Sequence, residues 1–303
     1  MNNLYLHHAG PNLKTAGWNT VLLLLAAILS GAVVLIVPFA RAAMNCNQTA
    51  ETGVFLAYCS NTFGDYEHAA YALDLEPSAV RNLEGAQVVF LGSSLSQFAF
   101  STNATSRFFA DHNLPHYLIG FGYSEGSAFP LSVISGLRMK AKLYIVHAMY
   151  MFSDHTSPPA LQTHTWDGAV QGVRRKAAAI VASKLCKLVP CGGVRAFYRR
   201  YDNGHWLWQN VLHNPVGPNP VKKGLRKVPP PSAKEKEIAN QLLERIGIPR
   251  ECVILTVTPA ATYDPIDFAA TMAKHMGVPF IAPRIDSLVA LDTAHLDARS
   301  AEL

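Results

Sequence analysis

Three residues of this chain could perform nucleophilic catalysis if folding brings them together: Ser94, Asp292 and His295. Acyl transfer by a serine needs a hydroxyl at a sharp turn, an imidazole that takes its proton and a carboxylate that orients the imidazole. Ser94 follows the apolar residues 88–91 and a glycine. Asp292 and His295 are so close in sequence that one short turn can present both. The sequence therefore predicts a Ser-His-Asp site.

These two segments resemble blocks of the SGNH, or GDSL-type, hydrolases and acyltransferases. The first block of that family is a strand followed by Gly-Asp-Ser-Leu, or by Gly-Ser-Ser in many membrane-anchored members, and it matches Gly92-Ser93-Ser94-Leu95. The last block, Asp-x-x-His, matches Asp292-Thr293-Ala294-His295. The resemblance covers residues 86–147 and 232–303. It implies that Ser94, rather than Ser93, is the nucleophile, with His295 as general base and Asp292 as its partner.

The resemblance also implies an oxyanion hole made by the backbone N–H groups of Ser94 and of a glycine after the second strand. Gly122 is the expected donor, with Gly120 as the alternative. The third block of the family normally supplies an asparagine, whereas this chain has His147 at that place. His147 could donate instead, or it could be a structural histidine at a strand end. One lost donor costs about 2.7–4 kcal/mol in known enzymes, so we expect hydrolysis to suffer more than acyl transfer.

Strand and helix patterns alternate on both sides of a central interruption. Such alternation predicts an α/β fold with a central parallel sheet. Five strands with intervening helices predict a flavodoxin-like three-layer sandwich, like that of SGNH hydrolases, with the active site at the carboxyl ends of the strands. Ser232 and Glu235 have capping-box spacing at the start of one helix. The predicted strands are 87–91, 116–121, 143–146, 252–257 and 279–281, and the predicted helices are 105–113, 129–140, 232–246 and 266–276.

An uncharged run of twenty residues, 21–40, precedes these elements. About 20 apolar residues suffice for a helix to span a bilayer, so the run predicts an uncleaved transmembrane signal anchor. The alternative is a cleaved signal peptide, since Ala40-Arg41-Ala42 has the form of a cleavage site. Flanking charges give little orientation, so the location outside the cytoplasm comes from the resemblance. The predicted regions are a tail (1–20), the anchor (21–40), a stalk (41–85) and an SGNH-like domain (86–303) with an insertion at 151–231.

The positive charge of the chain is concentrated in that insertion. The net charge is +5, and residues 151–230 hold twelve Lys and Arg against three Asp, which is +9 and leaves −4 for the rest. This basic, proline-rich and aromatic segment could bind an anionic polymer or lipid head groups, or it could be a solvated face. The sequence contains no phosphate-binding glycine loop and no nucleic-acid module.

The five cysteines form two close pairs and one single residue. Pairing of Cys46 with Cys59 and of Cys186 with Cys191 would suit an oxidising compartment. Cys252 lies in an apolar strand pattern and is predicted to be a buried free thiol. Because no pair has metal-site spacing supported by histidines, we predict neither a metal nor another cofactor.

Together with the resemblance, these features predict a membrane-anchored protein, periplasmic or otherwise extracytoplasmic, and the resemblance implies that it acts on O-acyl groups, with acetyl as the expected group, of an envelope or secreted polysaccharide. The resemblance further implies a multi-spanning membrane acyltransferase as a partner. Two alternatives stay open. One is an esterase of small or lipid esters, and the other is a catalytically silent assembly or binding subunit of an envelope complex.

Overall fold

The computed structural model describes residues 13–46, 51–60, 62–208, 219–221, 225–282, 285 and 287–303. Its helices are α1 (Leu13–Met44), α2 (Glu67–Ala72), α3 (Pro77–Gly85), α4 (Ser94–Phe100), α5 (Asn103–Asp111), α6 (Ala128–Ser135), α7 (Ala148–Met151), α8 (Pro158–Gln162), α9 (Trp166–Leu185), α10 (Ala233–Ile246), α11 (Ile266–Met276) and α12 (Ala298–Ala301). Its strands are β1 (Val54–Tyr58), β2 (Val88–Ser93), β3 (His116–Phe121), β4 (Leu143–His147), β5 (Phe197–Arg200), β6 (Trp206–Leu207), β7 (Asn219–Pro220), β8 (Arg226–Lys227), β9 (Val253–Thr256), β10 (Tyr263–Asp264), β11 (Phe280–Ile281) and β12 (Val289–Ala290).

A five-stranded sheet in the order β11-β9-β4-β2-β3 forms the centre of the fold. Every neighbouring pair in it is parallel. Counted along the chain, the order is 2-1-3-4-5, which is the order of flavodoxin-like sheets. The predicted α/β fold with a central parallel sheet is thus confirmed, and β2, which carries the candidate nucleophile at its end, lies inside the sheet.

Helices pack on both faces of this sheet, so its strands are buried on both sides. Val89 and Leu91 of β2 belong to the main hydrophobic core, which also contains Leu242 of α10 and Met272 of α11. On the other face, Phe90 packs in a smaller cluster with Val88, Phe109 and Leu118. The alternation of strand side chains between two apolar layers therefore produces a helix–sheet–helix arrangement.

The region predicted as a stalk forms part of the main core. Phe55 of β1, together with Phe63 and Tyr66 ahead of α2, is buried in it. β1 pairs antiparallel with β5, which lies in the predicted insertion and pairs in turn with β6. Residues before and after the first three sheet strands thus build a second, three-stranded sheet together.

The structure joins the cysteines as the sequence predicted, with disulfides between Cys46 and Cys59 and between Cys186 and Cys191. Cys252 is a free thiol, but it is half-buried rather than buried. Its place explains the difference, because it ends a short 3-10 turn, Arg250–Cys252, just before β9 rather than lying within the strand.

Local capping explains where helices agree with or depart from the sequence pattern. The capping box of Ser232 and Glu235 is present, and α10 ends at Ile246 as predicted. α5 begins before the predicted residue 105 because the side chain of Thr102 accepts the N–H of Thr105 and caps it. α6 stops at Ser135, short of the predicted residue 140, and the following chain turns towards α3, where two backbone N–H groups bond to Glu84.

The uncharged run at 21–40 falls within α1, and the side chains of residues 28–36 are outside the described part of the chain. Among the described residues, no helix has both the length and the apolar character needed to cross a membrane. The anchor predicted at 21–40 lies partly outside the described residues and stays a prediction.

Candidate active site

The nucleophile candidate lies at the junction of β2 and α4. Ser94 is the first residue of α4, and its Oγ lies 2.9 Å from Nε2 of His295. Ser93 is fully buried, and its hydroxyl accepts the N–H of Leu95 as the N-cap of α4. The two neighbouring serines thus have different environments, and Ser94 is the one that contacts the imidazole.

The turn that carries His295 also holds the carboxylate. Oδ2 of Asp292 lies 2.8 Å from Nδ1 of His295, and Oδ1 accepts the backbone N–H groups of Ala294 and His295. Since an ionised carboxylate only accepts hydrogen bonds, Nδ1 of His295 donates and Nε2 is free to accept from Ser94. Partial burial alone would raise the pKa of Asp292, but the hydrogen bonds from His295 and Ala294 outweigh it and hold that pKa below its ordinary value.

The C-terminal segment holds this turn against α4 and α5. The ring of Phe98 on α4 lies 4.4 Å, centre to centre, from the imidazole of His295. Farther on, the Ser300 hydroxyl accepts the N–H of Val289, and Glu302 accepts two N–H groups from the first turn of α5, those of Asn103 and Ala104. His295, which is some 200 positions from Ser94 in sequence, is thus held beside Ser94 by contacts of the C-terminal segment.

Gly92 and Gly120 allow α4 to pack closely on the sheet. A Cβ on Gly92 would lie 2.5 Å from Oγ of Ser96, and one on Gly120 would lie 2.5 Å from the same atom and 2.7 Å from the carbonyl oxygen of Ser93. Gly92 is absent from the described residues with positive φ. Its role is therefore close packing against α4, and not the sharp backbone turn that the sequence suggested.

We expect Gly120→Ala to destabilise the protein by about 1–3 kcal/mol, because the added methyl group overlaps the backbone beside the nucleophile. Gly136→Ala is the matched control, since its Cβ would have only one neighbour, 3.9 Å away, and its backbone is already in the right-handed helical region. Urea unfolding of both variants measures the difference. Equal stability of the two variants would contradict the packing role of Gly120.

The structure favours Gly122 over Gly120 as the oxyanion donor. Gly120 lies inside β3 opposite Gly92, whereas Gly122 directly follows the last register pair, Ser93–Phe121, just as Ser94 does on the other strand. After Gly122, Tyr123 and Ser124 both have positive φ, 60° and 55°. Such backbone is strained for residues other than glycine, and strain of this kind clusters at functional sites.

His147 does not fill the place of the family's asparagine. It is buried at the end of β4, where its Nε2 accepts the N–H of Thr258 and lies 2.9 Å from the Thr258 hydroxyl. Burial lowers the pKa of His147 to about 4. The neutral ring of His147 thus stabilises the loop after β9 through Thr258. This is the structural role that the sequence left open as an alternative.

A buried ion-pair network beneath the Gly122 turn escaped the sequence analysis. Nη1 of Arg199 lies 2.9 Å from Oε2 of Glu67, and the same guanidinium donates to the carbonyl groups of Leu118, Gly120 and Gly204. Glu67 also accepts from the indole N–H of Trp206. The run Asp65-Tyr66-Glu67-His68 is the only local signal, and it lies where a stalk was predicted.

Asp65, Glu67 and His68 are close enough to share a metal ion. However, the two ring nitrogens of His68 lie 2.8 Å from Asp65 and 3.4 Å from Glu125. Burial would lower the pKa of His68, but these carboxylates raise it to about 10. In this structure, His68 therefore forms an ion-pair network with Asp65 and Glu125.

A scan against models of protein families found no match for this chain, and neither did searches of characterised proteins and of solved structures. The site must therefore be interpreted from its own geometry.

Proposed function

We propose that this protein is a serine-type acyltransferase or esterase of the SGNH class that moves an O-linked acyl group, most plausibly acetyl, on an envelope or secreted polysaccharide. One observation carries the proposal, the hydrogen-bonded series Ser94–His295–Asp292 at the carboxyl end of a parallel sheet. The order and spacing of the two motifs and the flavodoxin-like strand order support it.

In the proposed reaction, Oγ of Ser94 attacks the acyl carbonyl while Nε2 of His295 accepts the hydroxyl proton. His295 then gives this proton to the departing oxygen, and the acyl group remains on Ser94 as an ester. In the second half, His295 takes a proton from a sugar hydroxyl, whose oxygen attacks the ester. His295 then returns this proton to Oγ of Ser94 as the bond between the acyl group and Ser94 breaks. Water in place of the sugar would make the protein an esterase.

The backbone N–H groups of Ser94 and Gly122 are the proposed donors to the oxyanion of both tetrahedral intermediates. Asp292 would keep the imidazole in the tautomer that accepts from Ser94. The side chain of His147, held at Thr258, adds no third donor in this scheme. With these two donors, we propose that the bound sugar acceptor excludes water from the site, which would favour transfer over hydrolysis.

The location outside the cytoplasm belongs to the same proposal. Two disulfides suit an oxidising compartment, and the uncharged run 21–40 would suit a membrane anchor. A multi-spanning membrane acyltransferase as donor of the acyl group is proposed from the family resemblance alone.

A fluorophosphonate probe tests the nucleophile, because it reacts with an activated serine. We expect it to label the wild-type protein and Ser93→Ala but not Ser94→Ala, with the labelled peptide identified by mass spectrometry. Label that persists in Ser94→Ala and is lost in Ser93→Ala would show that Ser93, and not Ser94, is the nucleophile. No label on folded wild-type protein would favour the silent assembly subunit.

A further inference from the structure

A cavity of about 220 Å³ lies beside the candidate oxyanion loop. The walls of this cavity are aromatic and its base is acidic. A second cavity, of about 460 Å³, is apolar and lies where α5, the sheet and the C-terminal segment meet. Gly122 borders the smaller cavity. The other residues that line the smaller cavity are Ala57, Tyr58, Asp65, Glu67, Tyr123, Phe197 and Trp206.

The smaller cavity lies near the catalytic series in the fold, although none of the three residues of that series lines it. Gly122 directly follows the last register pair of β2 and β3, Ser93–Phe121, and Ser94 follows the same pair on the other side. The ring of Trp206 lies 6.0 Å from that of Phe98, which in turn lies 4.4 Å from the imidazole of His295. A molecule in this cavity would therefore have one end at Gly122, the candidate oxyanion donor.

Two carboxylate oxygens have spare capacity at this cavity. Asp65 accepts both of its hydrogen bonds, from the backbone and ring of His68, at Oδ1. Glu67 accepts from Arg199 and Trp206 at Oε2. Oδ2 of Asp65 and Oε1 of Glu67 thus have no hydrogen-bond partner within the described chain, although their side chains are only 5% and 3% exposed. Such oxygens are suited to accept hydrogen bonds from ligand hydroxyl groups.

The charges around the cavity balance, which argues against a cationic ligand. Asp65 and Glu125 flank His68, and Glu67 is paired with Arg199. A third cation, Arg175, donates to the carbonyl of Phe63 close by and interacts with Asp65. Three carboxylates therefore face three cations, and the acidic oxygens act as hydrogen-bond acceptors without a net negative field.

We infer that this cavity, with Tyr123 and Trp206 as walls and Asp65 and Glu67 as acceptors, binds one neutral sugar ring of the substrate polymer. Aromatic side chains offer flat apolar surfaces on which the C–H face of a sugar can pack. The volume is below the range of about 300–1,000 Å³ typical of sites for drug-sized ligands, so it suits a single ring. The inference rests on the proposed function, since it places the acceptor hydroxyl next to the acyl group on Ser94.

The test is direct binding to full-length protein carrying Ser94→Ala, so that no turnover interferes. The probes are the methyl glycosides of glucose, galactose, mannose and N-acetylglucosamine. Saturation-transfer NMR detects their binding, and titration of the protein with each glycoside gives its Kd. We expect at least one to bind, and we expect Tyr123→Ala or Asp65→Asn to raise its Kd at least tenfold. Asn at position 65 would turn an acceptor into a donor, and Tyr123 is 47% exposed, so its removal leaves the core intact.

Phe108→Ala is the matched control, because Phe108 is a similarly exposed aromatic residue that lines the other cavity. We expect this change to leave the Kd unaltered. The inference is overturned if no glycoside binds, if binding survives both cavity variants, if only Phe108→Ala abolishes it, or if tetramethylammonium binds in place of the glycosides. Fluorophosphonate labelling of wild-type protein reports separately on the proposed function, so sugar binding without labelling would retain the cavity and reject the catalysis.

Discussion

Asp292→Asn should reduce turnover by about 10⁴-fold while the protein stays folded. An amide at this position can offer its N–H group to Nδ1 of His295, and the imidazole would then present a proton, instead of a lone pair, to Ser94. A loss of that size follows the same change in another Ser-His-Asp enzyme. Asn can still accept the two backbone N–H groups that Asp292 binds, so the turn itself should persist. The measurement is acyl content of the native polymer in cells, together with turnover of an acetyl ester in vitro.

Asp297→Asn is the matched control for this substitution. Asp297 lies in the same segment and caps α12 through the N–H of Ser300, and asparagine caps helices as well as aspartate does. The double variant Asp292→Asn/His295→Ala should be far less impaired than the product of the single effects, because the two residues act as a unit. If Ser94→Ala, Asp292→Asn and His295→Ala all leave polymer acylation at the wild-type level while deletion of the protein abolishes it, an assembly role replaces the catalytic one.

Arg199→Met should lower the free energy of unfolding by about 3–5 kcal/mol, since it leaves a buried carboxylate without its counter-charge. Arg199 is fully buried, and its loss would also remove a hydrogen-bond donor from the carbonyl groups of Leu118 and Gly120. A typical domain is stable by only about 5–15 kcal/mol, so this single change removes a large share. Urea unfolding followed by circular dichroism measures it.

The neighbouring residue gives a stringent control. Arg200 pairs with Asp202 and Glu51 at the surface, where ion pairs contribute about 0–1 kcal/mol, so Arg200→Met should change stability by less than that. Burial raises the pKa of Glu67, and adding Glu67→Gln to Arg199→Met should recover part of the loss by removing the unpaired charge. Equal effects of Arg199→Met and Arg200→Met would show that the buried network contributes no more than a surface pair.

The buried network connects stability to the candidate site. Arg199 donates to the carbonyl of Gly120 in β3, and Gln97 of α4 donates to the same oxygen. β3 leads directly into the Gly122 turn, and α4 begins with Ser94. Loss of Arg199 should therefore loosen the spacing between the nucleophile and its proposed oxyanion donor before the fold is lost.

Features encoded within a few residues could be predicted from the sequence. The capping box at Ser232, the close cysteine pairs and the Asp-x-x-His turn each depend on groups that are neighbours in the chain. Their geometry follows from local backbone and side-chain hydrogen bonds, as in the Asp292 carboxylate that accepts the N–H of His295. The alternation of apolar strands and amphipathic helices likewise sufficed to predict the parallel sheet.

Features that depend on distant residues could not be predicted. Residues 41–85 lack the alternating pattern of the sheet, and their place in the core depends on contacts with distant residues, such as those of β1 with β5 and of Glu67 with Arg199. The need for glycine at Gly92 comes from Ser96 on a helix that turns back over the strand. Neither relation leaves a periodic trace in one sequence.

Strand periodicity and short-range hydrogen bonding are local properties of the chain, so they sufficed to predict the class of sheet and to single out Ser94, Asp292 and His295 as candidates. The contact of His147 with Thr258, and the aromatic cavity with two acidic acceptors beside Gly122, became visible only in the folded structure. Those outcomes depend on which side chains are buried together, and burial is set by the packing of segments far apart in sequence, where desolvation and charge pairing fix each group's partners.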